Sequence, residues 1–170
     1  MTILITVVTI LQTISVSLGV GSSTLAIVNF FVAIADGKID ETERRMMGVV
    51  YKVLRVAMVL ILVTTVVLTA LEGSVSGLEH LSGFTWSELF VILILFINSM
   101  LMTAHLMPST FGPALQAGSW YALGTLAGIE ILGQTGFTFG EFLMSYITWL
   151  ILAVGIVNGI MASLKPKKKV

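Results

Sequence analysis

The chain has 170 residues, of which 56% are hydrophobic and 11% are charged, and its mean hydropathy is +1.04. A soluble domain carries about 25% charged residues, so the composition excludes an ordinary water-soluble protein. The formal net charge is zero, which excludes the basic surface that binds nucleic acid. Cysteine is absent, which excludes disulfides, thiolate metal sites and thiol catalysis. These features predict an integral membrane protein.

Five segments are long and apolar enough to cross a bilayer, whose hydrocarbon core of ~30 Å takes about 20 helical residues. They cover residues 4–35, 46–71, 86–107, 113–132 and 140–163. None has the alternating pattern of a barrel strand. We therefore expect an all-α, polytopic bundle of five transmembrane helices that forms a single transmembrane domain over residues 1–170. The first segment lacks the basic start of a signal peptide, so we expect it to be retained as a helix.

The basic residues predict the orientation in the membrane. Lys and Arg occur only in residues 38–55 and 165–169. By the positive-inside rule, the short loop 36–45 and the basic tail 164–170 are cytoplasmic, which places the N-terminus outside the cell membrane. Five spans satisfy both assignments, whereas four would not. The side chains expected to contact lipid headgroups are Arg44, Arg55, Lys167, Lys168 and Lys169.

The first predicted helix carries a stripe of small and polar residues. Its members follow one another at intervals of three and four residues, which is the repeat of one helix face. They are Gln12, Ser15, Gly19, Ser22, Ala26, Asn29, Ala33 and Asp36. The unbroken spacing favours one continuous helix over a helix interrupted near Gly19 and Gly21. Such faces allow membrane helices to approach closely and to form hydrogen bonds.

Two further patterns predict where helices begin. Asp40 and Glu43 are spaced as a capping box at the start of the second helix. The hexapeptides 83–88 (GFTWSE) and 136–141 (GFTFGE) share four of six residues and open the third and fifth helices. Each predicts a capping box, with Thr85 and Glu88 in one copy and the matching Thr and Glu in the other. The pattern indicates two duplicated hairpins, TM2–TM3 and TM4–TM5, unless similar interfacial starts have converged.

The third predicted helix carries the residues best suited to chemistry. Asn98, Met102 and His105 are spaced to share a face, which Glu88, Val91 and Leu95 extend towards the start of the helix. Met and His are ligands for copper(I), and a His/Met pair can bind haem. The other histidine, His80, is expected at the opposite end of the bundle, so either cofactor would need a partner chain. Met is also common core filler, and the sequence favours no cofactor over copper or haem.

Polar residues on two predicted helices could line a path through the bundle. The candidates are Gln12, Ser15, Ser22, Asn29, Asn98 and His105. The alternative is that they, like Asn158, form hydrogen bonds between helices. No acidic or basic residue is expected at the membrane centre, which argues against a proton-coupled mechanism. On the fourth helix, Gly124 and Gly128 are spaced for close helix packing.

These patterns leave three hypotheses for function. The leading one is a small multi-pass membrane protein that acts by assembly, as a homo-oligomer or as a subunit of a membrane complex, with any transport path lined by the stripes on helices one and three. The second is a stand-alone carrier or channel that uses the same stripes. The third is a copper- or haem-binding redox subunit that uses His105 and Met102. No catalytic motif is present, so an enzyme is the least favoured class. The expected partners are the lipid bilayer and other membrane subunits, with no nucleic acid.

Overall fold

A computed structural model describes residues 2–36, 40–108 and 111–164. These residues form five α-helices and one short 3-10 turn, with no strand among them. The helices are α1 (Thr2–Asp36), α2 (Glu41–Ser76), α3 (Gly83–Thr103), α4 (Gly112–Ile131) and α5 (Phe139–Leu164), and the 3-10 turn spans Leu78–His80. The all-helical class is therefore confirmed.

The first two helices are longer than a bilayer requires. α1 has 35 residues and runs without a break past Gly19 and Gly21, as the stripe predicted. α2 has 36 residues and begins with the predicted capping box, in which the backbone N–H of Glu43 donates to the Asp40 carboxylate and the Glu43 carboxylate accepts from the Asp40 N–H. The middle of the first loop, residues 37–39, lies outside the described residues.

Four helices are long and apolar enough to cross a membrane: α1, α2, α3 and α5. They indicate a helical membrane protein. α4 does not reach the same hydropathy, although it has 20 residues. The lower hydropathy of α4 agrees with its position in the bundle, because α4 contacts α1, α3 and α5 and half of its residues are buried. A helix enclosed by other helices does not need an apolar surface on every side.

A tight contact joins α1 to α4. Trp120 on α4 is completely buried, and its ring lies against Gly19 on α1. A β-carbon added at Gly19 would lie 2.2 Å from two ring carbons of Trp120, so only glycine fits there. Leu95, Ile61 and Leu123, from three helices, belong to the same buried cluster as Trp120, which we call the Trp120 layer.

Two connections meet at one end of the bundle, which we call the α2–α3 end. Gly83, at the start of α3, lies against the backbone between α4 and α5, where an added β-carbon would be 2.6 Å from the carbonyl oxygen of Phe137. The rings of Phe84 and Phe137 pack edge to face, with centroids 6.2 Å apart. The two similar hexapeptides of the sequence are therefore in direct contact.

Candidate functional site

A cavity lined by carboxylates opens near the α2–α3 end. We call it the acidic cavity; its volume is about 240 Å³. Three glutamates line it, Glu72, Glu88 and Glu130, and no Lys, Arg or His is among the described residues of its lining. The other polar residues of the lining are Thr9, Gln12, Thr69, Ser82, Thr85 and Thr135. A cavity of this composition attracts cations and disfavours anions.

Glu88 is held inside the bundle by residues from two other helices. The side-chain amide of Gln12 on α1 donates to one carboxylate oxygen of Glu88 and to the hydroxyl oxygen of Thr65 on α2, the latter at 3.1 Å. The Thr65 hydroxyl in turn donates to the same Glu88 oxygen at 3.3 Å. Gln12 and Thr65 are buried, with 6% and 1% of their surfaces exposed. The arrangement orients the carboxylate and ties α1, α2 and α3 together.

The prediction that Glu88 caps α3 is wrong. The cap is Ser82, one turn earlier, whose hydroxyl oxygen accepts from the backbone N–H of Thr85 at 3.1 Å. Thr85 instead donates its hydroxyl to the Glu72 carboxylate at 2.6 Å. Because the helix already begins at Gly83, Glu88 lies beyond the first turn and faces the neighbouring helices.

The second hexapeptide behaves as predicted. The backbone N–H of Thr138 donates to the Glu141 carboxylate at 2.8 Å, and the Glu141 N–H donates to the Thr138 hydroxyl oxygen at 3.3 Å. Glu141 is therefore an exposed capping residue. The matching glutamate in the first hexapeptide, Glu88, does not cap its helix.

The other two glutamates of the acidic cavity have different roles. Glu72 accepts from the backbone N–H of Ser82 at 3.2 Å and from Thr85, so it fixes the start of α3. Glu130 lies in the last turn of α4 and is exposed at the mouth of the cavity. Glu88 and Glu130 also line a separate space of about 10 Å³, which Val16 and Leu123 line as well. We call it the extension of the acidic cavity, because the two share four lining residues. These two carboxylates are therefore the groups placed to meet a cation.

A second cavity, of about 250 Å³, lies on the other side of the Trp120 layer. We call it the arginine cavity, because Arg55 is its charged residue. Its polar lining comprises Ser23, Tyr51, Arg55, Ser99, Thr103 and Gln116, and two methionines, Met58 and Met102, contribute sulfur. Arg55 and Tyr51 are exposed, so they lie at its mouth.

Asn98 joins α3 to α4 beside the arginine cavity. Its amide nitrogen donates to the carbonyl of Gly112 at 3.0 Å and to the side-chain oxygen of Gln116 at 2.9 Å. Because the Gly112 carbonyl can only accept, the nitrogen has to face it. The Asn98 oxygen is consequently buried without a hydrogen-bond partner among the described residues. Asn98, Leu95 and Val91 are all fully buried, as the face on the third helix predicted.

The structure does not bring the six candidate path residues into one site. Gln12 lines the acidic cavity, and Ser15 and Ser22 are buried along α1. Asn29 and His105 line neither cavity among the described residues. The sequence did not single out Thr65, Glu130 or Trp120 as site residues. The sequence contained one signal that Glu88 is not a capping residue. Ser82, one turn before Thr85, is an alternative cap for α3 and leaves Glu88 without that role.

His105 does not share a helix face with Met102. α3 ends at Thr103, and His105 is exposed beyond it with a left-handed backbone (φ 57°). Met102 instead lines the arginine cavity, where its sulfur accepts from Asn98 at 3.5 Å. Within the described ranges, no three His, Cys, Asp or Glu residues are grouped to hold a metal ion. A copper or haem role for Met102 and His105 stays a prediction.

The structure describes two of the five residues expected to contact lipid headgroups. Arg44 is exposed in the first turn of α2, and Arg55 lies three turns further at the mouth of the arginine cavity. The tail residues Lys167, Lys168 and Lys169 lie outside the described residues.

Comparisons of the chain with protein-family models, curated proteins and solved structures found no match.

Proposed function

We propose that this chain is a membrane carrier that binds a small organic cation, of the ammonium or guanidinium class, in the acidic cavity. The observation that supports this is the position of Glu88, a carboxylate within a membrane-spanning helix that Gln12 and Thr65 hold in place. Ionisable side chains inside a bilayer are costly and rare, and they mark ion or substrate pathways. This proposal favours the carrier hypothesis over assembly as the primary function.

The size and charge of the acidic cavity support a molecular cation. Its volume is about 240 Å³, whereas one water molecule takes up about 30 Å³ of the liquid. The cavity is therefore larger than a bare ion requires. The three glutamates do not form a compact coordination shell for a metal within the part of the chain that is described. Glu88 and Glu130 would neutralise the cation, and the threonines and Gln12 would accept its N–H groups or replace its hydration water.

Uptake into lipid vesicles tests this proposal. Purified protein in phosphatidylcholine/phosphatidylglycerol vesicles is expected to give saturable uptake of guanidinium or methylammonium, compared with empty vesicles. Glu88→Gln keeps the shape of the side chain but removes the charge, and it should abolish the saturable component. Glu141→Gln is the matched control, because the corresponding glutamate of the second hexapeptide is an exposed cap. Absence of uptake by the unaltered protein, or full uptake by Glu88→Gln, would contradict the proposal.

The carrier would have five spans, with α4 as the fifth. Its 20 residues give a length of ~30 Å at 1.5 Å per residue, which matches the hydrocarbon core. Five spans place the basic loop and the basic tail together in the cytoplasm and the acidic cavity at the outer surface. The test uses single cysteines, since the chain has none of its own. In intact cells Ser74→Cys should react with an impermeant thiol reagent and Thr42→Cys should not; the reverse pattern would overturn the orientation.

We also propose that the hairpins α2–α3 and α4–α5 are duplicated. Their similar hexapeptides pack against each other at Gly83 and Phe137, as expected for two hairpins related by an axis along the membrane normal. In this scheme the copies diverged at the cap. The first moved its cap to Ser82, and its glutamate became available to the acidic cavity.

Assembly remains a second candidate, supported by one face of α5. Among the described residues, nothing lies within 4 Å of a β-carbon placed at Gly155 or Gly159, and Asn158 between them has no hydrogen-bond partner. Small residues at this spacing, with a polar residue between them, are typical of paired membrane helices. Light scattering in detergent should give the mass of a homo-oligomer, reduced by Gly159→Ile and unchanged by Ile156→Leu. A monomeric mass for the unaltered protein would exclude self-assembly in detergent.

A further inference from the structure

The acidic cavity and the arginine cavity approach each other along the same interface between α1 and α4. The extension of the acidic cavity reaches Val16 on α1 and Leu123 on α4. The arginine cavity reaches Ser23 on α1 and Ala117 on α4. These limits are seven residues apart on α1 and six residues apart on α4, which corresponds to ~9–10 Å of helix.

One contact fills the space between the two cavities. Gly19 lies between Val16 and Ser23, and Trp120 lies between Ala117 and Leu123. The Trp120 ring is completely buried and lies directly over Gly19. Among the described residues, the only other buried aromatic side chain of this core is Tyr146 on α5, which is 3% exposed. Trp120 is the one that lies between the limits of the two cavities on α4.

The indole of Trp120 has an unusual polar property for a core residue. Its N–H is buried and has no hydrogen-bond partner among the described residues. A buried donor without an acceptor is less stable than a hydrogen-bonded one. Water or a ligand that entered the layer would supply the missing acceptor. Opening the layer is consequently less unfavourable than opening a purely apolar core.

We propose that the acidic and arginine cavities are two halves of one path across the bundle and that the Trp120–Gly19 contact is its gate. This inference rests on the proposed carrier function, for which it supplies the second half of the route. Rotation or displacement of the ring joins the extension at Leu123 to the cavity at Ala117. Gly19 leaves room for the ring, because it presents no side chain to it. The closed gate prevents both cavities from being open to each other at rest.

Single cysteines, labelled from each side of the membrane, test this gate. Thr9→Cys reports on the acidic cavity and Ser99→Cys on the arginine cavity, and both positions are half-buried. The probe is an impermeant methanethiosulfonate that carries a trimethylammonium group, applied to intact cells and to inverted vesicles. With Trp120 present, each cysteine should react from one side only, and the two sides should differ. Labelling of Ser99→Cys from the α2–α3 side in this background would show that no barrier exists.

Removal of the indole should open the path. In the Trp120→Ala background, Ser99→Cys should also react from the α2–α3 side. Trp86→Ala is the matched control, because it removes an exposed indole from α3 and should leave the sidedness unchanged. Continued reaction of Ser99→Cys from its own side shows that the altered protein is folded. If that reaction persists and no labelling occurs from the α2–α3 side, Trp120 is not the gate.

An anionic sulfonate form of the same reagent separates the two proposals. If Trp120→Ala admits the cationic and anionic reagents equally, and Glu88→Gln changes neither rate, the gate holds and the cation preference fails. If Thr9→Cys reacts faster with the cationic reagent in a Glu88-dependent way, but Trp120→Ala opens no path, the cation site holds and the gate fails.

Discussion

The side-chain amide of Gln12 on α1 donates a hydrogen bond to the carboxylate of Glu88 on α3. This bond joins the small-residue stripe of α1 to an acidic group of the acidic cavity. The same amide also bonds Thr65, so three helices share one polar junction. This junction has consequences for both stability and cation binding.

We predict that Gln12 and Glu88 are energetically coupled. Gln12→Leu and Glu88→Leu should each lower the free energy of unfolding in mixed micelles, and the double variant should lose less than the sum by about 1 kcal/mol, because each single change already removes the shared bond. Ser145→Ala, on the exposed side of α5, is the control partner and should be additive with Glu88→Leu. Additivity of Gln12→Leu with Glu88→Leu would show that the bond contributes nothing to the folded state.

The glycines of α1 should differ sharply in their tolerance of a methyl group. Gly19→Ala places a β-carbon 2.2 Å from the Trp120 ring and should destabilise the protein by roughly 1–3 kcal/mol, the usual cost of overpacking a core. The added β-carbon of Gly21→Ala has no described residue within 4 Å, and the change should be neutral or slightly stabilising, because alanine favours helices. Thermal unfolding followed by circular dichroism in detergent measures both. Equal effects of the two changes would contradict the close Trp120 contact.

The sequence predicted the helical elements better than the polar contacts. Hydropathy and polar stripes depend on residues that are close together in the chain. The continuity of α1, the buried face at Val91 and the Asp40 cap could therefore be predicted from local spacing. The Glu88–Gln12 bond joins residues far apart in the chain, and no local pattern specifies such a pairing. The competing cap at Ser82 also obscured it, since Ser82 and Thr85 are both good capping residues and only tertiary contact with Glu72 decides between them.

Capping should therefore depend on different residues in the two hexapeptides. Ser82→Ala and Thr138→Ala should each cost about 1 kcal/mol of unfolding free energy, because each removes the acceptor for an N–H at the start of a helix. Ser74→Ala is the control, since its hydroxyl bonds only a carbonyl within its own helix. Unfolding in mixed micelles gives all three values. A Ser82→Ala variant as stable as the Ser74→Ala variant would contradict the assignment of the cap.

Two asparagines that look equivalent in the sequence should behave differently. Asn98→Leu removes the bonds to Gly112 and Gln116 and leaves the Gln116 oxygen unpaired, which costs about 1–3 kcal/mol for a buried group. Asn98→Asp should be worse, because it turns a carboxyl oxygen towards two acceptors. Asn158→Leu should change the stability of the monomer in dilute detergent by less than about 0.5 kcal/mol, since Asn158 has no partner among the described residues.

Comparing Asn158→Leu with Asn98→Leu also distinguishes a role of Asn158 within one bundle from a role between two copies of the chain. If Asn158→Leu is silent in monomers but lowers the oligomer mass at high protein concentration, its role lies between chains on the open face at Gly155 and Gly159. If it destabilises the monomer as much as Asn98→Leu does, Asn158 has a partner within the bundle. In that case the α5 face is not a free surface, and the assembly candidate loses its structural support.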